Sequence, residues 1–154
     1  MTRLAGVRLL FVDDRFDIAN MYISRARREG ADVIYQSKLL GAFTALATET
    51  FDLAIIDLHM PLPAAPWPLF CKESIEALAN NESDTVRSHN LGQMIGHYIN
   101  HSCNGKPPFI YLSAVAKYFE PLVDAQMPQG AQCLDRYKTT AAELVTIVAN
   151  LLGK

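Results

Sequence analysis

The sequence predicts an α/β domain: a doubly wound, five-stranded parallel sheet with helices on both faces. Three observations carry that prediction. Short apolar runs alternate along the chain with stretches of helical period. One of those runs, Leu53-Ala54-Ile55-Ile56, is apolar throughout, as a strand covered on both faces must be. The length, 154 residues of which 50% are hydrophobic, suits a single domain (1–154) that buries roughly 70% of the surface its unfolded chain exposes.

The elements follow in order. Val7-Arg8-Leu9-Leu10-Phe11-Val12 reads as the first strand. Ile18, Ala19, Tyr22, Ile23 and Ala26 then recur at three- and four-residue steps, and Gly30 is placed to end that helix. Arg25, Arg27 and Arg28 fall in its last turn, where positive charge suits the helix dipole, so this basic cluster requires no partner. Val33-Ile34-Tyr35 forms a second strand. Ser37 is the expected N-cap of a second helix, whose apolar face is Leu39, Leu40, Phe43, Leu46 and Ala47. The third strand, Leu53–Ile56, ends at Asp57.

After Leu91 the helical period resumes with Met94, Ile95, Tyr98 and Ile99. Phe109-Ile110-Tyr111-Leu112 is the fourth strand and Gln132-Cys133-Leu134 a weaker fifth. Pro121 is suited to the first turn of a helix between them. Thr140 and Glu143 have the spacing of a capping box, opening a last helix with Leu144, Ile147, Val148 and Leu151 inward.

Charge narrows the function. Fourteen Lys and Arg against 16 Asp and Glu leave a net charge of −2, with no field to draw in a phosphate backbone, so direct nucleic-acid binding is not expected. Cys71, Cys103 and Cys133 lack Cys-x-x-Cys spacing and read as reduced thiols of a cytoplasmic protein. The apolar run at the N-terminus is too short for a signal peptide or a membrane span.

In an open parallel sheet, ligands bind beyond the carboxyl ends of the strands. The residues there are Asp13 and Asp14, Asp57, Ser113 and the segment Arg136-Tyr137-Lys138. One aspartate at a strand end is ordinarily a cap or turn residue. Three converging carboxylates instead repel one another unless a cation sits among them, and an oxygen-only set with open positions favours hydrated Mg²⁺. A carboxylate beside such an ion is suited to attack a phosphoryl group, with a hydroxyl donor and a cation on the phosphoryl oxygens. Asp57, Ser113 and Lys138 are the right residue types.

At this point the chain resembles a response-regulator receiver domain, the phosphoacceptor module of two-component signalling and phosphorelays. The resemblance rests on Leu9-Leu10-Phe11-Val12-Asp13-Asp14, on Ile55-Ile56-Asp57-Leu58-His59-Met60-Pro61, on Phe109-Ile110-Tyr111-Leu112-Ser113-Ala114, and on Gly130-Ala131 before the last strand. The acid pair and the Asp-x-x-Met-Pro segment stand 44 residues apart. The resemblance implies a flavodoxin-like sheet of strand order 2-1-3-4-5. It implies Asp57 as phosphoacceptor, and Mg²⁺ held by Asp13, Asp14, Asp57 and the main-chain carbonyl of His59. It further implies Ser113 and Lys138 on the phosphoryl group, and His59 and Val115 as residues that tune its lifetime. The donor would be a sensor histidine kinase, a phosphotransfer protein or a small phosphodonor. The output would be contact with a downstream protein or a change of homodimer state. The chain would be no enzyme in the usual sense, at most promoting its own phosphorylation and dephosphorylation.

Three departures stand out. The family's lysine, counted from Gly130, falls on Tyr137 rather than Lys138, and Thr139 stands where proline is usual. The family's switch aromatic aligns with Leu134, leaving Tyr137 as a substitute. Between Pro61 and Leu91 the chain carries an insertion of about 27 residues within 62–90, long for a loop without structure of its own. It opens with Pro61, Pro63, Pro66 and Pro68 around Trp67 and continues as a short helix with Phe70, Cys71, Ile75 and Leu78 on one face. A lid or kinase-docking surface and simple packing onto the domain are the two readings of it.

These departures also suit a pseudo-receiver, a protein-binding module of the same fold that never carries phosphate. A haloacid-dehalogenase-type phosphatase would want Asp-x-Asp after the first strand, and a dinucleotide-binding domain Gly-x-Gly-x-x-Gly; neither is present. His97 and His101 have zinc-chelating spacing but no third ligand at helical spacing.

Overall fold

The computed structural model describes residues 2–79, 89–103, 105–121, 125–128, 131 and 133–154. Five parallel strands, β1 (Arg8–Val12), β2 (Asp32–Gln36), β3 (Leu53–Ile56), β4 (Phe109–Ser113) and β5 (Leu134–Asp135), form one sheet in the order β2-β1-β3-β4-β5. The helices whose full extent lies within the described residues are α1 (Phe16–Arg28), α2 (Leu39–Thr48), α3 (Leu69–Ala79), α4 (Gln93–His101) and α5 (Ala141–Leu151). None of the described helices is long and apolar enough to cross a membrane.

The sheet separates two cores. On one face Tyr22, Ile23 and Ala26 of α1 and Leu144, Val145 and Val148 of α5 meet Leu9, Phe11, Leu53, Ile55, Ile110 and Leu112. On the other, α2, α3 and α4 cover Leu10, Val12, Ala54, Ile56, Phe109 and Tyr111. Alternate residues of each central strand thus enter opposite cores, which is why their sequences are apolar without interruption.

The helix ends agree with the sequence reading at two places and differ at one. Gly30 takes φ +95°, a conformation open to glycine, directly after the C-cap of α1. Thr140 Oγ1 accepts from Glu143 N at 3.1 Å and Thr140 N donates to Glu143 Oε2 at 3.2 Å, the reciprocal pair of a capping box. Ser37 does not cap α2. Lys38 holds that position in an extended conformation without a side-chain cap, and its carbonyl accepts from Ala42 N instead.

The expected insertion contributes to the core through α3. Cys71, Ser74, Ile75 and Leu78 are buried, Phe70 meets Tyr98 edge-on with ring centroids 6.2 Å apart, and Trp67 packs against the same cluster while donating to Pro63 O at 2.9 Å. This part of the segment is built into the domain; residues 80–88 lie outside the described residues. Between β4 and β5 lies a 3-10 turn, Ala116–Tyr118, while the helix expected to begin at Pro121 falls on 122–124, which lie outside the described residues.

Gly92, at the start of α4, lies directly on the acceptor strand's exit. Its N–H donates to Leu58 O at 2.9 Å, and a methyl group on it would overlap the carbonyl of Asp57. Gly92→Ala is therefore expected to push α4 away from the 57–58 peptide and cost about 2–3 kcal/mol, as overpacking does in tight interiors. Thermal unfolding checks it; an unchanged midpoint would contradict the close approach.

Candidate functional site

The site forms where β1, β3 and β4 end together. Register places Val12 beside Ile56 and Ser113 beside Asp135, so the next residues, Asp13, Asp57 and Arg136, emerge on one edge of the sheet. Asp57 N donates to Val12 O at 2.8 Å and Arg136 N to Ser113 O at 3.1 Å, continuing the ladders into the site.

Asp13, Asp14 and Asp57 each bring a carboxylate oxygen within 4.8 Å of the others. Asp13 and Asp57 are almost fully buried, at 2% and 3% exposure. Burial first, and the charge of Asp57 second, push Asp13 up to about 6, against the N–H of Arg15 and the guanidinium of Arg136. Burial likewise raises Asp57, opposed by hydrogen bonds from the Ser113 hydroxyl and the His59 N–H and by the charge of Arg136. The pocket strains toward neutralisation, which is the condition that favours a bound cation. Three clustered carboxylates and no softer donor are the donor set of a hard, oxygen-binding ion, so these residues fit Mg²⁺.

Each carboxylate is locally fixed. Asp13 Oδ1 accepts from Arg15 N at 2.9 Å, Asp13 O accepts from the Tyr35 hydroxyl at 2.5 Å, and Asp57 Oδ1 accepts from His59 N at 3.2 Å. Ser113 is fully buried and its Oγ accepts from Val115 N at 3.3 Å. The cleft above has a volume of about 280 Å³, lined by Asp14, Asp57, His59, Val115, Arg136 and Tyr137 among others. His59 is exposed and Val115 half-buried at its edge.

The buried cation in the site is Arg136; Arg15 also lines the cleft, exposed and paired with Asp17. Arg136 Nη1 lies 2.8 Å from Asp13 Oδ2 and 3.9 Å from Asp57 Oδ2, with the side chain only 10% exposed. The turn bearing it is pinned by Tyr22, whose hydroxyl donates to Arg136 O and Thr139 O at 3.0 and 2.8 Å. Lys138 is exposed and does not line the cleft. The difference from the sequence reading is one of residue type: the resemblance implies a lysine and so favours Lys138, whereas β5 ends at Asp135 and the strand exit falls on Arg136. Gly130, from which the lysine position is counted, lies outside the described residues. The available signal was order: Arg136 is the first cation after the strand.

Leu134 is buried in the core shared by α1 and α5, and the Tyr137 ring is 82% exposed. His97 and His101 stack at 4.4 Å, and His97 Nδ1 shares a 2.8 Å hydrogen bond with Ser74 Oγ. Among the described residues Asp13, Asp14 and Asp57 are the one cluster of three metal-ligating side chains, so the histidine pair gains no third ligand. Cys71, Cys103 and Cys133 form no disulfide, and burial raises each thiol, Cys133 to about 12.

No protein-family model matches the sequence, and no curated protein does. Solved structures do match. The receiver domain of a Pseudomonas aeruginosa sensor histidine kinase, solved with Mg²⁺ coordinated in its active-site cleft, superposes with TM-score 0.68 at 19% identity, over 97% of this chain and 100% of that one. A CheY-like receiver domain protein from Methanospirillum hungatei gives 0.62 at 14% identity, over 96% and 94%. One from Methylobacillus flagellatus gives 0.64 at 15%, over 94% and 98%. The chain has the CheY-like receiver fold, with the strand order 2-1-3-4-5 of that fold.

Proposed function

We propose that this protein is a Mg²⁺-dependent phosphoacceptor of the two-component type, with Asp57 as the residue phosphorylated. One observation carries the reading: three carboxylates, a buried hydroxyl and a buried guanidinium converge at a single sheet end in a receiver fold. Asp13, Asp14 and Asp57 would hold Mg²⁺, with the His59 carbonyl completing the protein's share; the Pseudomonas neighbour carries Mg²⁺ in its active-site cleft. When bound, the ion neutralises charge on the phosphoryl oxygens.

The chain's own groups do the rest. An Asp57 carboxylate oxygen attacks phosphorus while the bond to the donor breaks, whether to a kinase or phosphotransfer-protein histidine or to a small acyl phosphate, and the donor group leaves with the electron pair. Ser113 donates to a phosphoryl oxygen and Arg136 pairs with the added charge. His59 and Val115, at the cleft edge, control water's approach to the product. Added charge and acceptors at the sheet end then alter protein contact or homodimerisation. Incubation with an acyl phosphate and Mg²⁺, followed by peptide mapping, tests the reading. An acid-stable, base-labile adduct on Asp57 supports it, and the absence of any Mg²⁺-dependent adduct leaves a phosphorylation-independent binding module.

Metal binding should depend on pH with a definite sign. A carboxyl whose pKa is raised by folding holds its proton more tightly in the native chain than in the unfolded one. The stability Asp13 contributes is therefore fully present below the ordinary value of 3.8 and is lost as pH rises to about 6. Since the ion needs the ionised form, Mg²⁺ should bind roughly tenfold more tightly at about pH 7.5 than at about pH 5. Calorimetric titration at both values measures this; equal affinities would contradict it.

A further inference from the structure

The segment after Ser113 is held by two side chains from a different part of the chain. After its 3-10 turn the backbone reaches Pro121, which has no N–H to continue a helix, so the carbonyls of Tyr118 and Glu120 and the N–H of Glu120 take partners from elsewhere. Asn90 supplies them as a peptide group would: its Nδ2 donates to Tyr118 O at 3.1 Å and its Oδ1 accepts from Glu120 N at 3.2 Å. Gln93 Nε2 donates to Glu120 O at 2.7 Å and to Asn90 Oδ1 at 2.9 Å. Both amides are completely buried. Beside them the His89 ring stacks on Tyr118 at 4.6 Å, and His59 stands 6.0 Å beyond His89.

The position of this clamp matters as much as its bonds. Gly92, between the two amides, is seated on the Asp57–Leu58 peptide. Residues 90–93 therefore touch the acceptor's backbone on one side and the Ser113 segment on the other. Ser113 Oγ accepts from Val115 N, Val115 O accepts from Tyr118 N at 2.9 Å, and Tyr118 O reaches Asn90. A run of hydrogen bonds thus joins the clamp to the Ser113 hydroxyl at the end of β4.

We propose that Asn90 and Gln93 are positioning residues that fix the segment bearing the Ser113 hydroxyl at the sheet end beside Asp57 before the phosphoryl group arrives. The inference rests on the phosphoacceptor reading above and assigns a task to two residues that the reading does not use. A hydroxyl already in place avoids an ordering cost when the phosphoryl oxygens arrive, so the clamp strengthens phosphoryl binding without touching it.

The test uses the full chain with Mg²⁺ and with Mg²⁺ plus beryllofluoride, a phosphoryl mimic, followed by calorimetry. Asn90→Ala, and Gln93→Met as a packing-conserving second variant, should each weaken beryllofluoride binding about tenfold while Mg²⁺ affinity stays within about twofold. In a Ser113→Ala background the same substitutions should cause no further loss, because the group they position is gone. Unchanged beryllofluoride affinity in both variants would overturn the proposal. So would a loss that is equal with and without the Ser113 hydroxyl, or one shared by Mg²⁺. If the unsubstituted chain binds Mg²⁺ but never beryllofluoride, the phosphoacceptor reading itself falls and takes this one with it.

Discussion

Asp57→Asn is expected to abolish Mg²⁺-dependent phosphorylation and at the same time to stabilise the metal-free protein. The first effect follows from chemistry: an amide is no nucleophile toward phosphorus, and Asp13, held by Arg15 N and Arg136, is already engaged. The second follows from electrostatics. Asp57 is buried beside Asp13 and Asp14, and both burial and like charge disfavour its ionised form. Removing one charge from such a cluster relieves repulsion worth on the order of 1–2 kcal/mol at neutral pH, after the partial compensation by Arg136. Thermal melts with and without Mg²⁺ separate the effects. The variant should unfold at higher temperature than the parent without metal and gain less from its addition. Undiminished labelling in Asp57→Asn would refute the assignment of the acceptor, and a lower metal-free midpoint would refute the electrostatic account.

The sequence revealed most where burial is continuous. Leu53–Ile56 lies in the sheet's centre, and its four buried residues could be read directly because neither face meets solvent. Asp13, Asp14 and Asp57 could be read for a related reason: each follows an apolar run whose end is unmistakable, and parallel strands bring such ends together. The fifth strand has only two paired residues at the sheet edge, so its apolar signal is too short to mark its end. The expected cation, Lys138, comes instead from the lysine that the resemblance implies, and residue type outweighs position there: the first cation past either end of the strand is Arg136. The amides of Asn90 and Gln93 were invisible for a different reason. They sit within a polar stretch, and nothing in composition separates an amide that faces water from one that substitutes for a missing backbone partner.

The cation offers a sharp discrimination, because the two candidates differ in burial rather than in charge. Arg136→Ala removes a guanidinium that is 10% exposed and lies 2.8 Å from a buried carboxylate. Breaking a buried pair by deleting one partner typically costs about 3–5 kcal/mol. Here the loss falls toward the lower figure, since Asp13 can take up a proton when left unpaired. Lys138→Ala alters an exposed side chain and should change stability by less than about 0.5 kcal/mol. Phosphorylation should divide the same way, strongly impaired in Arg136→Ala and near normal in Lys138→Ala. Arg136→Lys keeps the charge but loses the second arm of the guanidinium fork, so it should recover part of the activity. Added Mg²⁺ should rescue the stability of Arg136→Ala, because the ion neutralises the carboxylates that Arg136 otherwise faces. Its rescue of phosphoryl transfer should be incomplete, since the cation that pairs with the phosphoryl oxygens is still missing. Equal impairment of Arg136→Ala and Lys138→Ala would mean that the turn after β5 rearranges when the phosphoryl group arrives, bringing Lys138 into the cleft.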